Sequence, residues 1–237
     1  MLMRHNQHAG TPKTVLLFDL DGTLLDSTPL VLASSHYALR TVLGRDVTDD
    51  ELRPYFGQIL EDQFRQLTGR DDPQLIERLI LAYRAFNEAA HDEAVDACAG
   101  ARETVRALAS SGVGLGIVSS KRLSMVNRGL DWLGLRSLFR VVVGSESTVR
   151  HKPDPAPIER ALQAWPGVCR GQVAMVGDSP YDIEAAVRAG IDGIGVLGNT
   201  FSRRDLEAAG AVRVLDRLPE LLTWMGWELD SRRGLGP

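Results

Sequence analysis

Acidic and hydroxyl side chains stand where apolar runs of this sequence end. Asp19 ends the run TVLLFD and Asp21 follows it, Ser119 and Ser120 follow GLGIV, and Asp178 ends VAMVGD. Apolar runs of this length are typical of buried strands, and ligands of a doubly wound sheet bind beyond the carboxyl ends of its strands. The sequence therefore predicts that these side chains meet at one edge of a sheet.

The residue types at this predicted edge indicate phosphoryl chemistry. Asp19, Asp21 and Asp178 would repel one another unless a cation offset their charge. Mg²⁺ is a suitable cation, because it prefers oxygen ligands and often binds a few carboxylates together with a substrate phosphate. Lys152, in a Lys-Pro-Asp-Pro turn, and Ser119 would supply a charge and a hydroxyl donor for that phosphate.

The elements that position these residues alternate between strand and helix. Strands are predicted at 14–19, 114–119, 141–144, 173–178, 193–197 and 212–215. Helices are predicted at 101–110, 123–133, 156–165, 181–189, 203–209 and 218–225. Such alternation favours an α/β fold with a doubly wound, mostly parallel sheet and a Rossmann-like core.

One stretch breaks the alternation, because no strand is predicted between Asp26 and about Cys98. Thr48–Glu51 has the form of a capping box, and Asp72-Pro73 places an N-cap before a helix. The apolar stripe from Leu75 to Tyr83 has helical spacing and predicts core packing. We therefore expect a small all-helical cap at 29–97, a core of 14–28 plus 98–225, and tails at 1–13 and 226–237.

Composition excludes several classes of protein. The 237 residues carry 27 Lys and Arg against 31 Asp and Glu, a net charge of −4, which argues against a nucleic-acid surface. Cys98 and Cys169 are too few for a disulfide framework or a four-ligand zinc site, and we predict two buried thiols. No window is apolar enough for a membrane helix, and residues 1–13 lack a signal-peptide pattern. A cytoplasmic location is predicted.

Four segments of the sequence resemble the motifs of the haloacid dehalogenase-like hydrolases. They are DLDGTLLDS at 19–27, Ser119 at the end of GIVS, KPDP at 152–155, and GDS at 177–179 with Asp182. They occur in the family's order, and the resemblance runs from about Thr14 to Leu222. It implies that Asp19 is a nucleophile that forms an aspartyl-phosphate. It also implies that Asp21 protonates the leaving oxygen and then deprotonates water.

The same resemblance implies the ligands of the metal and of the phosphate. Asp19, the backbone carbonyl of Asp21 and Asp178 would hold Mg²⁺, and Asp182 would support the metal's coordination. The phosphoryl oxygens would be bound by Ser119, Ser120 and Lys152, with help from the amides of Leu20 and Ser120.

Differences between this sequence and the patterns of individual branches of the family reduce the number of candidate activities. True dehalogenases lack an acid at the position of Asp21, so a phosphatase or a mutase is favoured. The β-phosphoglucomutase branch usually has His where Val31 stands, which makes a sugar-phosphate mutase less favoured. The segment YFGQ at 55–58 resembles the cap loop of phosphoglycolate phosphatase-like enzymes and of inorganic pyrophosphatases. Gln58 and Arg65 are candidates for facing the substrate, although Arg65 could equally be a solvent-exposed arginine.

The predicted function is that of a Mg²⁺-dependent phosphatase acting on a small phosphorylated metabolite of the phosphoglycolate type. An inorganic pyrophosphatase or a mutase of the same fold is the alternative. A phospho-accepting signalling receiver and a non-catalytic binding protein are more distant alternatives. A receiver has about half this length and lacks the helical insertion, and a dead site would lack the nucleophile or a metal ligand. The expected partner is a small phosphate ester, with no nucleic acid or membrane, and the chain is expected to be a monomer or homodimer.

Overall fold

A six-stranded parallel sheet forms the centre of the molecule, which a computed structural model describes for residues 12–226. Its strands are β1 (Val15–Phe18), β4 (Gly114–Val118), β5 (Val141–Val143), β6 (Val173–Gly177), β7 (Asp192–Val196) and β8 (Arg213–Leu215). Their order in the sheet is β5-β4-β1-β6-β7-β8. Strand β1 is therefore central, and it pairs in parallel with β4 and β6.

Continuous apolar runs form these strands because both faces of the sheet are covered. All four side chains of β1 are buried, and Leu16 and Leu17 point to opposite faces. Leu16 belongs to one hydrophobic cluster and Leu17 to another. The six predicted strands and the α/β class are confirmed.

Ten helices accompany the strands within residues 12–226. They are α1 (Thr28–Leu43), α2 (Asp49–Leu52), α3 (Leu60–Thr68), α4 (Pro73–Ala94), α5 (Ala101–Ser110), α6 (Leu123–Leu133), α7 (Ala156–Leu162), α8 (Pro180–Arg188), α9 (Arg203–Ala208) and α10 (Glu220–Trp224). Helices α5, α6 and α10 pack on one face of the sheet, and α7 and α8 pack on the other. None of the ten is both long and apolar enough to cross a membrane.

Helices α1 to α4 stand between β1 and β4 and share a hydrophobic cluster of their own. Phe64 of α3 and Leu79 of α4 lie at its centre. The two predicted helix starts are present. Thr48 and Glu51 form a capping box, and Asp72 accepts hydrogen bonds from the first amides of α4. These helices belong to residues 29–97, the cap predicted from the sequence, and the predicted tails lie almost wholly outside the described residues.

Two predictions are wrong. The stretch predicted to lack strands begins and ends in a small antiparallel ribbon, β2 (Leu25–Asp26) with β3 (Asp96–Ala97), where the chain leaves and re-enters the core. Strands of two residues show no apolar alternation, so the sequence could not reveal them. Cys169 is exposed, since it lies in the surface connection between α7 and β6, and Cys98 is half-buried.

Candidate active site

A buried ion-pair network lies at the carboxyl end of β1. Asp19, the residue after β1, is 5% exposed, and its Oδ1 is 3.0 Å from Nζ of Lys152. The same Nζ donates to Oδ1 of Asp182 at 2.6 Å and to the carbonyl of Val118 at 3.2 Å. The loop that carries Lys152 thus places one cation between the carboxylate that follows β1 and the carboxylate of Asp182 in the first turn of α8.

Both carboxylate oxygens of Asp182 accept hydrogen bonds within this network. Its Oδ1 accepts from Lys152, and its Oδ2 accepts from the amide and the hydroxyl of Ser179, at 3.2 and 2.9 Å. The bonds to Ser179 form the capping box that starts α8. Gly177 is required beside it, because a Cβ there would lie 2.4 Å from the Asp182 carboxylate. Asp182 therefore holds Lys152 in position, and its expected support of the metal's coordination stays a prediction.

Asp178 contacts the turn that follows Asp19. Thr23 donates from its hydroxyl to Oδ1 of Asp178 at 3.2 Å. Gly22 has a φ of +80°, and a Cβ there would lie 2.2 Å from Oδ2 of Asp178. Only glycine satisfies both the left-handed backbone and this close approach. The turn and the end of β6 are thus locked together, which places Asp178 beside Asp19.

The carboxylates of this cluster outnumber its cations, which favours the binding of another cation. Asp19, Asp178 and Asp182 lie close enough together to share an ion, and Lys152 pairs with Asp19 and Asp182 but not with Asp178. Burial, opposed in part by Lys152 and aided by Asp182 and Asp21, raises the pKa of Asp19 to about 7. Burial and the negative charge of Asp19 raise the pKa of Asp178 well above its usual range. Burial favours a lower pKa for Lys152, but Asp182 and Asp19 outweigh it and raise that pKa.

Mg²⁺ fits this donor set. Oxygen ligands from two or more buried carboxylates suit a hard divalent cation, and its charge would offset the excess of negative charge. Because Asp182 is already bonded through both oxygens, Asp19 and Asp178 are the side chains available to the ion.

Asp21 stands at the edge of the cluster and faces a cavity between the core and the cap. Its Oδ1 accepts from the hydroxyl of Ser27 at 2.5 Å and from Nζ of Lys121 at 2.8 Å. Its side chain is 27% exposed, so water and a substrate in the cavity can reach its carboxylate. Lys121 follows the two predicted serines directly, and the sequence did not single it out as a site residue.

The two serines after β4 have different surroundings. Ser119 is buried, and its hydroxyl accepts a bond of 3.2 Å from the amide of Lys121. The Ser120 hydroxyl donates to the carbonyl of Gly57 in the cap at 2.6 Å. Ser120 therefore joins the core to the cap through its side chain, and its amide is the group left for a phosphate oxygen.

The cavity has a volume of about 110 Å³, and its floor includes Asp19, Ser119 and Asp178. This is well below the several hundred Å³ of sites for drug-sized ligands, and it suits a small ligand. Gln58 lines the cavity as predicted and donates to the hydroxyl of Tyr181 on α8. Tyr181 donates in turn to the carbonyl of Pro54 at 3.3 Å, so the cap loop is held against the core.

Arg65 does not face this cavity. Its guanidinium is on the exposed side of α3 and pairs with Asp62 at 3.3 Å and Asp71 at 3.1 Å, while Phe64 takes the inward position. Arg84 of α4 lines the cavity instead, and the sequence analysis missed it. The available signal was its position four residues after Ile80, which continues the buried stripe of α4 with a charged residue.

Comparison with known proteins identifies the family. Residues 16–196 match the family model described as haloacid dehalogenase-like hydrolase. The chain belongs to this family of hydrolases. Among curated relatives, pyrophosphatase PpaX of Anoxybacillus flavithermus is 34% identical over 214 residues, which are 89% of this chain and 96% of that protein. Pyrophosphatase PpaX of Bacillus cereus strain AH820 is 34% identical, over 87% of this chain and 94% of that protein.

The solved structures agree on the architecture. A hydrolase from Pseudomonas syringae superposes with a TM-score of 0.82 at 26% identity, over 90% of this chain and 98% of that one. The predicted family, fold class and enzyme class, a hydrolase of the phosphatase type, are therefore confirmed.

Proposed function

We propose that this protein is a Mg²⁺-dependent phosphatase that hydrolyses a small phosphorylated metabolite through an aspartyl-phosphate on Asp19. The observation that carries the proposal is the placement of Asp19. Its carboxylate is buried beside Lys152 and Asp178, and it opens on a cavity that the cap covers. A buried carboxylate next to a fixed cation and a small cavity suits attack on a phosphate group.

Asp19, Asp178 and the backbone carbonyl of Asp21 are the proposed ligands of Mg²⁺. When bound there, Mg²⁺ would supply positive charge for the phosphoryl oxygens of the substrate and for the buried carboxylates. Lys152 and Ser119 are proposed to bind phosphoryl oxygens from the other side, together with the amides of Leu20 and Ser120. Most of the acceleration would come from fixed charges and positioning, as in other phosphoryl transfers.

The proposed covalent step begins with Asp19. Lys152 holds Oδ1 of Asp19, so Oδ2 is the oxygen available to attack phosphorus. A bond forms between Oδ2 and phosphorus while the bond from phosphorus to the leaving oxygen breaks. Asp21 donates a proton to that oxygen, and the leaving group departs as an alcohol or, from a phosphoanhydride, as a protonated phosphate.

The second step returns Asp19 to its starting state. Asp21, now a carboxylate, takes a proton from a water molecule, and the water oxygen attacks the phosphorus of the aspartyl-phosphate. Inorganic phosphate leaves, and the Asp19 carboxylate is regenerated. Ser27 and Lys121 fix Asp21 through Oδ1, so its other oxygen is free to carry the proton in both steps.

A phosphoglycolate-type ester and inorganic pyrophosphate are the two candidate substrates. The cavity volume of about 110 Å³ suits either. Pyrophosphate is favoured by the names of relatives that are 34% identical over most of the chain. A sugar-phosphate mutase gains no support, because Val31 lines the cavity where that branch carries His, and His36 pairs with Asp49 in the cap.

Phosphate release from a panel of compounds tests the proposal. The panel contains 2-phosphoglycolate, sugar phosphates and pyrophosphate, each with Mg²⁺ and with a chelator, for the wild type and Asp19→Asn. Asp26→Asn is the matched control, since Asp26 lies in the same segment DLDGTLLDS and, among residues 12–226, its carboxylate accepts one hydrogen bond from another residue's backbone, the amide of Thr28. Release that requires both Mg²⁺ and Asp19 is expected. Release that persists in Asp19→Asn would refute the proposed nucleophile.

We further propose a cytoplasmic location, which is supported by two unpaired cysteines, as expected in a reducing compartment. The expected oligomeric state, monomer or homodimer, and the expected lack of nucleic-acid and membrane partners stay predictions.

A further inference from the structure

Arg84 is a cation of the cavity wall that forms no hydrogen bond with any residue of the described part of the chain. It lies on α4, and its side chain is 29% exposed. Its Nε is buried without a hydrogen-bond partner among residues 12–226. The nearest carboxylate oxygen, Oε1 of Glu61, is 3.8 Å from its terminal nitrogen, too far for a hydrogen bond. A guanidinium carries five N–H donors, so Arg84 has unused binding capacity.

The other cations around the cavity are already engaged. Lys121 donates to Asp21 at 2.8 Å, and Arg122 donates to Glu88. Lys152 pairs with Asp19 and Asp182 and belongs to the proposed phosphate site. A buried N–H without a partner costs folding free energy. This cost is removed if a bound ligand accepts a hydrogen bond from Arg84. Arg84 therefore differs from its neighbours in a way that points to a ligand.

The position of Arg84 shows which part of a substrate it would meet. Arg84 belongs to the cap wall, and it lies both on the cavity between core and cap and on a more open cleft beside the loop of Lys152. The proposed phosphate site is on the floor, around Asp19 and Ser119. A substrate whose phosphate lies on the floor would direct its leaving group towards the cap, and so towards Arg84.

We infer that Arg84 is a specificity-determining residue that binds a second anionic group, a carboxylate or a phosphate, on the leaving group of the substrate. The planar guanidinium binds such groups with two parallel hydrogen bonds. Glu61 is loosely paired and 39% exposed, so it can turn towards solvent when the ligand's anion takes its place. The inference rests on the proposed function, and it narrows the substrate to a small phosphate ester or anhydride with a charged leaving group.

Matched substrates test the inference directly. The values of kcat/KM are measured for 2-phosphoglycolate and for ethyl phosphate, which is similar in size and lacks the carboxylate. Arg84→Gln is expected to lower kcat/KM for 2-phosphoglycolate by about 10- to 100-fold, the range for hydrogen bonds to a charged group. Its kcat/KM for ethyl phosphate is expected to stay within about twofold of the wild type. Pyrophosphate and methyl phosphate form a second pair with the same expectation.

Two further variants act as controls. Arg78→Gln makes the same chemical change on the exposed side of the same helix and is expected to alter neither substrate. Arg84→Lys keeps the charge but lacks the planar guanidinium, so we expect an intermediate loss of kcat/KM for 2-phosphoglycolate. This variant replaces Arg84→Gln in the test if Arg84→Gln does not fold. Equal losses on both substrates, or no loss on either, would overturn the inference.

A binding measurement separates this inference from the proposed function. Calorimetric titration compares phosphonoacetate with ethylphosphonate, neither of which is hydrolysed as a phosphate ester. Tighter binding of phosphonoacetate that is lost in Arg84→Gln supports the inference even if no compound releases phosphate. Normal phosphate release, with the same ratio of affinities in wild type and variant, would reject the role of Arg84 and leave the phosphatase assignment intact.

Discussion

Removal of the Lys152 charge should destabilise the folded protein strongly. In Lys152→Met the side chain keeps its length, but Asp19 and Asp182 lose a cation that stands 3.0 and 2.6 Å from them. The side chains of Lys152 and Asp182 are 1% and 0% exposed, so water cannot replace the missing partner. Breaking a buried ion pair typically costs about 3–5 kcal/mol, and here two carboxylates are left behind. We expect a loss at the upper end of that range.

Urea unfolding at pH 7 with a chelator measures this loss. With a slope near 3 kcal/mol per molar of urea, the unfolding midpoint should fall by about 1.5 M. Lys121→Met is the control, because Lys121 and Asp21 are 12% and 27% exposed, and we expect a loss of about 1 kcal/mol or less. Adding Asp182→Asn to Lys152→Met removes one stranded carboxylate and should restore part of the stability. A Lys152→Met midpoint equal to that of the wild type would refute the reasoning.

Three more predictions concern the turn, the metal and pH. Gly22→Ala places a Cβ 2.2 Å from Oδ2 of Asp178 and should lower the rate of phosphate release about 100-fold. Gly44→Ala is the control and should leave the rate unchanged, because the space around Gly44 is open. Equal rates in the two variants would contradict the packing argument. Mg²⁺ at about 100 times its Kd should raise the melting temperature of the wild type by about 5–10 °C, and an undiminished rise in Asp178→Asn would exclude Asp178 as a ligand. Burial, opposed by Asp92, lowers the pKa of His91, so below its ordinary value of 6.5 the unfolded chain binds a proton more readily than the folded one. The melting temperature should therefore fall between pH 7.5 and 5.5 more steeply in the wild type than in His91→Gln, and parallel pH dependences would refute this.

The core of the site could be predicted because its residues stand at strand ends. Asp19, Ser119 and Asp178 follow long apolar runs, and parallel strands bring their carboxyl ends to one edge. Lys152 reaches the same edge from a loop, and the sequence indicated it through its charge in the turn KPDP and through the resemblance of that segment to a family motif. The order of the strands and the bonds of Lys152 to Asp182 required the structure.

The cap side of the site was predicted less well. Which face of α3 or α4 borders the cavity depends on how the helices pack, and that packing involves contacts distant in sequence. Arg65 and Arg84 are both helical arginines, and only the packed cap separates the exposed one from the one on the cavity wall. The bond from Ser120 to Gly57 joins residues that are 63 positions apart, so local sequence carries no sign of it.

A trapped phosphoenzyme tests the central claim, that Asp19 is the nucleophile, most directly. The substrate of the panel with the highest kcat/KM is labelled in its phosphate and mixed with the protein and Mg²⁺, and the reaction is stopped with acid during turnover. We predict label on the peptide that contains Asp19, released by hydroxylamine as expected of an acyl phosphate, and no label in Asp19→Asn. Label on another residue, or hydrolysis by Asp19→Asn at the wild-type rate, would contradict the account.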